Sequence, residues 1–319
     1  MKSEQTFLEL IDSFFPCDHD FIKLGRGDDC AVLTGNKDLC VSSDLFIEDI
    51  HFRQAYFSPE DIGYKALAVN ISDIAAMGAK PIAFTMNIVA PPTLKNDFWK
   101  DFFKSMAILA KQNDIVLAGG DLSRGDKLMI SITIFGIGGS TGFITRGNCH
   151  TGDILFTIGD LGLARTGLLA LEKYGEKART LFPAAVMAHL RPKPKVLIGT
   201  LLNAAGVKGL MDISDGLAQD LPRFLGADSG AELEIKEDSL NNDIKKFSEI
   251  IQHDPISFTL IGGEDYALLG AVSPFELGKA ESVPGFSRIG TVTKAPGIIV
   301  NGNPFTGSGF DHFTKTETS

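Results

Sequence analysis

Apolar residues recur at regular spacings along the chain, and the spacing of each block suggests an element. The clearest helical period lies in SPEDIGYKALAVNISDIAAMGAKP (58–81). Ser58 suits its cap, Pro59 the first helical position, and Glu60 and Asp61 the positive end of the helix dipole. Gly78 and Pro81 mark its end. A second amphipathic helix is expected in NDFWKDFFKSMAILAKQND (96–114). Strand-like runs surround these helices: DLCVSSDLF (38–46), IAFTMNIVA (82–90), IVLAGGD (115–121) and LMISITIFGIG (128–138). The last is long and apolar, hazardous as an exposed edge, so it should be paired or covered, and a homodimer through the N-terminal half would do so. CAVL (30–33), behind Gly-Arg-Gly-Asp-Asp, reads as the entry to a buried strand.

The stretch GGSTGFITRGNCHTGD (138–153) interrupts this pattern with small and polar residues. Beyond it, ILFTIGD (154–160) and SRIGTVT (287–293) read as strands, ARTGLLALEKYG (164–175) as a helix, and FTLIGGEDYALLGAV (258–272) contains a strand. Mixed strands and helices define an α/β or α+β class. The break divides the chain into an expected N-terminal domain, 1–140, and a C-terminal domain, 141–319.

Composition narrows the class of function. With 44% hydrophobic and 22% charged residues, the chain can build an ordinary globular core. A net charge of −10 with no long basic run argues against nucleic acid as a partner. An anionic ligand would need a local cation. Cys17, Cys30, Cys40 and Cys149 form no C-x-x-C pair, which fits reduced thiols in the cytoplasm better than disulfides or a zinc knuckle. The opening MKSEQTFLELIDSFF carries acidic residues within its apolar pattern, unlike a secretory leader. No run approaches the roughly 20 apolar residues that cross a bilayer.

Seven aspartates change the picture: Asp28, Asp29, Asp44, Asp73, Asp121, Asp212 and Asp215. Each sits among apolar or small residues, where a lone carboxylate is costly. A turn or a cap explains any single one. Asp73 is the sharpest case, because helical spacing places it with Ala66, Val69 and Met77. Nearby basic residues are too few to pair with all seven. Hard oxygen ligands suit Mg²⁺, and several such ions would let an acidic protein hold a polyphosphate. The set therefore points to Mg²⁺-nucleotide chemistry. The P-loop and protein-kinase signatures are absent. IGDLGLARTG (158–167) follows strand, turn and helix in order, and either a phosphate cradle or tight packing explains its glycines.

Together GDDCAVL, SSDLFIEDIHF, YKALAVNISDIAAMGAKP, AGGDLSRG, TRGNCHTGD, MDISDGLAQDL, GGEDYALL and GFDHF resemble the thiamine-monophosphate kinase family, within the aminoimidazole-ribotide-synthetase-like superfamily. The motifs run in order from about residue 24 to 313. The resemblance implies two α/β domains, with N-terminal sheets pairing in a homodimer. It also implies phosphoryl transfer from ATP to thiamine monophosphate. The metal ligands it implies are Asp29, Ser42, Ser43, Asp44, Asp73, Asp121, Asp212 and Asp215. Gly120, Asp121, Arg146 and Ser214 would lie near ATP, and His51, Glu264 and Phe310 near the thiamine side. Asp28 would orient its loop or bind metal through water. The acceptor is already an anionic phosphate, so alignment by Mg²⁺ and Arg146 suffices and no general base is needed. Asp49 departs from the family, where a small residue such as Gly is expected. Alternatives are an ATP-using relative with another acceptor, or a non-catalytic nucleotide-binding relative.

Overall fold

The structure, a computed structural model, describes residues 22–24, 28, 29, 31–33, 38–139, 141–307 and 309. Phe310 lies outside the described residues.

The first sheet contains β1 (Ile22–Leu24), β2 (Ala31–Leu33), β3 (Leu39–Ile47), β4 (Lys80–Ala90), β5 (Val116–Arg124) and β6 (Met129–Ile137), in the order β1-β2-β3-β6-β4-β5. The apolar run 128–138 is paired, as expected, and its partners lie within one chain: β6 pairs with β3 on one side and β4 on the other. Its alternate residues Ile130, Ile132 and Ile134 are buried, so its apolar character is satisfied within one chain. The exposed edge is β5, where Leu122 is 71% accessible.

The second sheet contains β7 (Ile154–Ile158), β8 (Gly209–Ile213), β9 (Gly230–Leu233), β10 (Ala267–Val272), β11 (Phe286–Thr293), β12 (Gly297–Val300) and β13 (Asn303–Phe305). Its order is β13-β12-β9-β11-β7-β10-β8. The longer helices are α1 (Pro59–Ala76), α2 (Asn96–Gln112), α3 (Leu163–Tyr174), α4 (Pro183–Leu190), α5 (Val196–Ala204), α6 (Leu217–Leu225) and α7 (Asn242–Ile251). No helix among the described residues is long and apolar enough to cross a membrane.

Helix α1 organises the molecule. A capping box starts it: Asp61 N–H donates to Ser58 Oγ at 3.2 Å, and Ser58 N–H to Asp61 Oδ2 at 3.3 Å. The helix packs on β3 and β6 of the first sheet, on α2 and α5, and on β8 of the second sheet. Contact on several sides explains why it is apolar almost all round. It also explains why several of its polar residues, among them Lys65, Asn70 and Ser72, are buried rather than in solvent.

Candidate active site

Three elements bring carboxylates together. The segment at Asp28 and Asp29 supplies one, α1 supplies Asp73, and Asp212 lies near the end of β8. One oxygen from each of Asp29, Asp73 and Asp212 lies within 4.8 Å of the others. Period-two alternation along β3 turns Ser42 and Asp44 toward α1. Ser42 Oγ donates to Asp73 Oδ2, and Ser72 Oγ donates to Asp212 Oδ2 at 2.7 Å. The guanidinium of Arg146 donates to Asp29 Oδ1.

These acids resist ionisation. Burial, then the charge of Asp212, raises the Asp29 carboxyl well above its usual range. Burial, then Asp44, Asp212 and Asp29, does the same to Asp73. Asp44 is pushed up to about 6 by burial and by Asp212. Burial raises Asp212 too, against the Ser72 hydrogen bond and Arg146. Asp29 Oδ2 is buried and accepts no hydrogen bond from the described residues. A crowded set of hard oxygens with an unused buried lone pair fits a hard divalent cation.

Asp28 has a clear structural task. Its Oδ1 accepts from Asp29 N–H and its Oδ2 from Arg146 N–H, both at 2.8 Å. It therefore orients the loop and fixes Arg146 beside Asp29. Asp220, which sequence reasoning missed, acts similarly beyond β8. Its Oδ2 accepts from the N–H groups of Ser214 and Asp215 at 3.0 and 2.9 Å. Asp215 pairs with Arg223 and stands outside the tight group of three.

Other expected residues are placed elsewhere. Ser43 points to the opposite face of the sheet, where its Oγ lies 2.9 Å from Thr133 Oγ1. Asp121 is exposed on β5, in register with Asn87 on that same face. Gly120 has φ +152, and a Cβ there would lie 1.8 Å from Met86 O, so the close β4–β5 approach demands glycine. His51 accepts from Ile47 N–H through Nδ1 at 3.0 Å. Asp49 adopts φ 66 and its carboxylate lies 3.0 Å from Lys127 Nζ. That left-handed backbone explains why glycine suits position 49, and Asp is among the residues that tolerate it.

The glycine-rich turn 158–167 is occupied by the protein itself. Asp265 accepts from Gly162 N–H at 2.5 Å and from Ala164 N–H at 3.0 Å, at the start of α3. A Cβ on Gly162 would meet Thr259 Cα at 2.7 Å. Packing and an internal carboxylate account for this turn. Glu264, the residue before Asp265, contacts Lys65 Nζ at 3.1 Å and His189 Nδ1 at 3.0 Å. Neither partner was singled out from sequence. A lysine on the apolar face of α1 was the available signal.

Residues 27–138 match the N-terminal domain of AIR synthase related proteins, and residues 150–303 match their C-terminal domain. The fold and the carboxylate site thus fall within the AIR synthase related class. Within that class the chain is 36% identical to thiamine-monophosphate kinase of Bacillus subtilis, covering 83% of each sequence. It is 32% identical to that of Synechococcus elongatus, covering 98% of this chain and 96% of the relative. A solved structure of AaThiL complexed with AMPPCP and TMP superposes with a TM-score of 0.84 at 28% identity, covering 98% of this chain and 97% of that one. The chain belongs to the thiamine-monophosphate kinase family.

Proposed function

We propose that this protein transfers the γ-phosphoryl group of ATP to the phosphate of thiamine monophosphate, giving thiamine diphosphate and ADP. The observation that carries this reading is the close group of Asp29, Asp73 and Asp212, the first and last of them buried, joined to Arg146. When bound there, Mg²⁺ ions would neutralise the polyphosphate charge and bridge it to the carboxylates. Asp29, Asp44, Asp73 and Asp212 would hold these ions, with Ser42 and Asp215 as further ligands; Ser43, on the opposite face of its sheet, and Asp121, on β5, would join only an ion bound away from that group. Asp28 and Asp220 hold the two loops in shape, and Arg146 adds a fixed positive charge against Asp29. Gly120 and Ser214 would lie near the nucleotide. His51, Glu264 and Phe310 would receive the acceptor. Because the attacking group is an anionic phosphate oxygen, these residues need only align and shield it.

We also place residues 1–140 and 141–319 in separate domains, and the reaction in the cytoplasm. A homodimer would cover the β5 edge, whose backbone and apolar side chains otherwise face solvent. The test is ADP release with ATP, Mg²⁺ and thiamine monophosphate. Release that depends on thiamine monophosphate and stops with chelator supports the reading. A chiral γ-phosphate should transfer with inversion, and retention would reject a single direct displacement.

A further inference from the structure

Glu264 is gripped from behind. Its two oxygens meet two different donors, Lys65 Nζ at 3.1 Å and His189 Nδ1 at 3.0 Å. Both donors are closed off from water, with side chains 0% and 1% exposed, whereas the Glu264 side chain keeps 27% of its surface open. The three residues come from α1, from α4 and from the turn before β10. That turn holds Glu264 at φ 65 and Tyr266 at φ 47, two left-handed residues close together.

The same turn is tied to the carboxylate site. Glu264 N–H donates to Ser214 O at 2.7 Å, and Tyr266 N–H to Ile213 O at 2.9 Å. Along α1, Lys65 precedes Asp73 by eight residues, about 12 Å of helix rise. Burial, then Glu264, Asp44, Asp212 and Asp73, raises the Tyr266 hydroxyl, which marks it as lying between the two acidic regions. One region is ready for cations and phosphate. The other presents a single carboxylate.

We propose that Lys65 and His189 are positioning residues that fix both oxygens of Glu264, so that its open edge meets the cationic ring end of the acceptor. The assignment rests on the proposed function, since it takes thiamine monophosphate as the acceptor. Charge balance supports it. Burial opposes ionisation of Glu264, but Lys65 and His189 hold its carboxyl well below the usual range. Burial and Lys65 lower the His189 pKa, so the ring is neutral and donates from Nδ1. Its Nε2 is then buried without a hydrogen-bond partner among the described residues. The Phe57 ring lies 5.4 Å away and the Tyr56 ring 6.4 Å, between centroids. Lys65 holds the Glu264 carboxylate from its buried side, and the exposed edge is what a further cation would meet. A charge on His189 would repel that cation.

The test uses the full chain in steady-state kinetics with both substrates varied. Lys65→Met leaves the half-buried Glu264 carboxylate without its cation and risks unfolding, so the His189 variants carry the test. His189→Leu should raise KM for thiamine monophosphate about tenfold, with KM for ATP and kcat within about threefold. His189→Gln keeps an N–H donor and should recover most of the loss. Equal rises in both KM values, a loss confined to kcat, or failure of Gln to improve on Leu would overturn the assignment. If neither variant folds, as judged by circular dichroism and thermal melts, the pair is a structural staple and the assignment also falls. Wild-type protein that releases no ADP with thiamine monophosphate would reject the proposed function itself, and this inference with it.

Discussion

Replacing Asp73 by Asn should stabilise the metal-free protein and abolish its activity. Asp73 shares a space of 4.8 Å with Asp29 and Asp212. At that distance, with an effective dielectric constant of about 20, each ionised pair repels by about 3.5 kcal/mol. Two such pairs give about 7 kcal/mol if all three acids are ionised; Asp44 adds to that repulsion, and proton uptake by the acids reduces it. Asparagine keeps the shape and still accepts from Ser42. We therefore expect a gain of about 2–5 kcal/mol in chelator at pH 8. The gain should shrink toward acid pH: a carboxyl with a raised folded pKa destabilises the fold only once pH rises past its unfolded value, and the cost is complete above the folded value. Added Mg²⁺ at about 100 times its Kd would stabilise the wild type by about 2.7 kcal/mol, and the variant by much less. Turnover should fall by about a hundredfold or more. Thermal melts in chelator and in Mg²⁺, with ADP release, give all three readings. A variant less stable in chelator, with its Mg²⁺ shift intact, would refute the reading of these acids as a frustrated cation site.

Asp265 is pushed up to about 7, chiefly by burial, so it costs stability progressively as pH rises from about 4 to 7. Asp265→Asn should remove that slope, improving relative to wild type by about 2 kcal/mol between pH 5.5 and 8.5 in urea denaturation, and parallel pH profiles would contradict it. Leu122→Lys on the exposed β5 edge should convert a dimer into monomers by light scattering at micromolar concentration; a wild type that is already monomeric would dismiss the dimer. Asp49→Gly should leave the acceptor KM unchanged and hold or raise stability by up to about 1 kcal/mol, since it relieves a left-handed backbone at the loss of an exposed ion pair. A tenfold change in that KM would return Asp49 to the acceptor pocket.

Much of the N-terminal half was legible because its signals are local. Ser58, Pro59 and Asp61 announce the start of α1 within four residues, and the structure realises the box. The aspartates were legible as a group because buried carboxylates need a common explanation. What escaped depends on distant chain segments meeting. The partners of β6 were not legible, because its sequence does not reveal that β3 and β4 flank it. The turn 158–167 looked open to phosphate because Asp265, about a hundred residues away, is what fills it. Lys65 and His189 are separated by 124 positions, and only the packed structure brings them to one carboxylate.

The placement of Asp121 links the proposed dimer to the proposed nucleotide site. Asp44 pairs with Ile132, Ile132 with Met86, and Met86 with Gly120 across the first sheet. Three strand spacings amount to about 14 Å, far more than a shared ion allows. Asp121, one residue on, also faces the side of the sheet opposite Asp44. Within one chain, then, Asp121 cannot join Asp29, Asp73 and Asp212 around a common ion. A second copy that brought its β5 edge there would supply Asp121 to a nucleotide held by that cluster, so the proposed dimer and the assignment of Asp121 depend on each other. Gly120 shares the sheet face of Asp44 and does not depend on a second copy. A fully active monomer would remove Asp121 from the site, yet leave the Asp29, Asp73 and Asp212 group untouched.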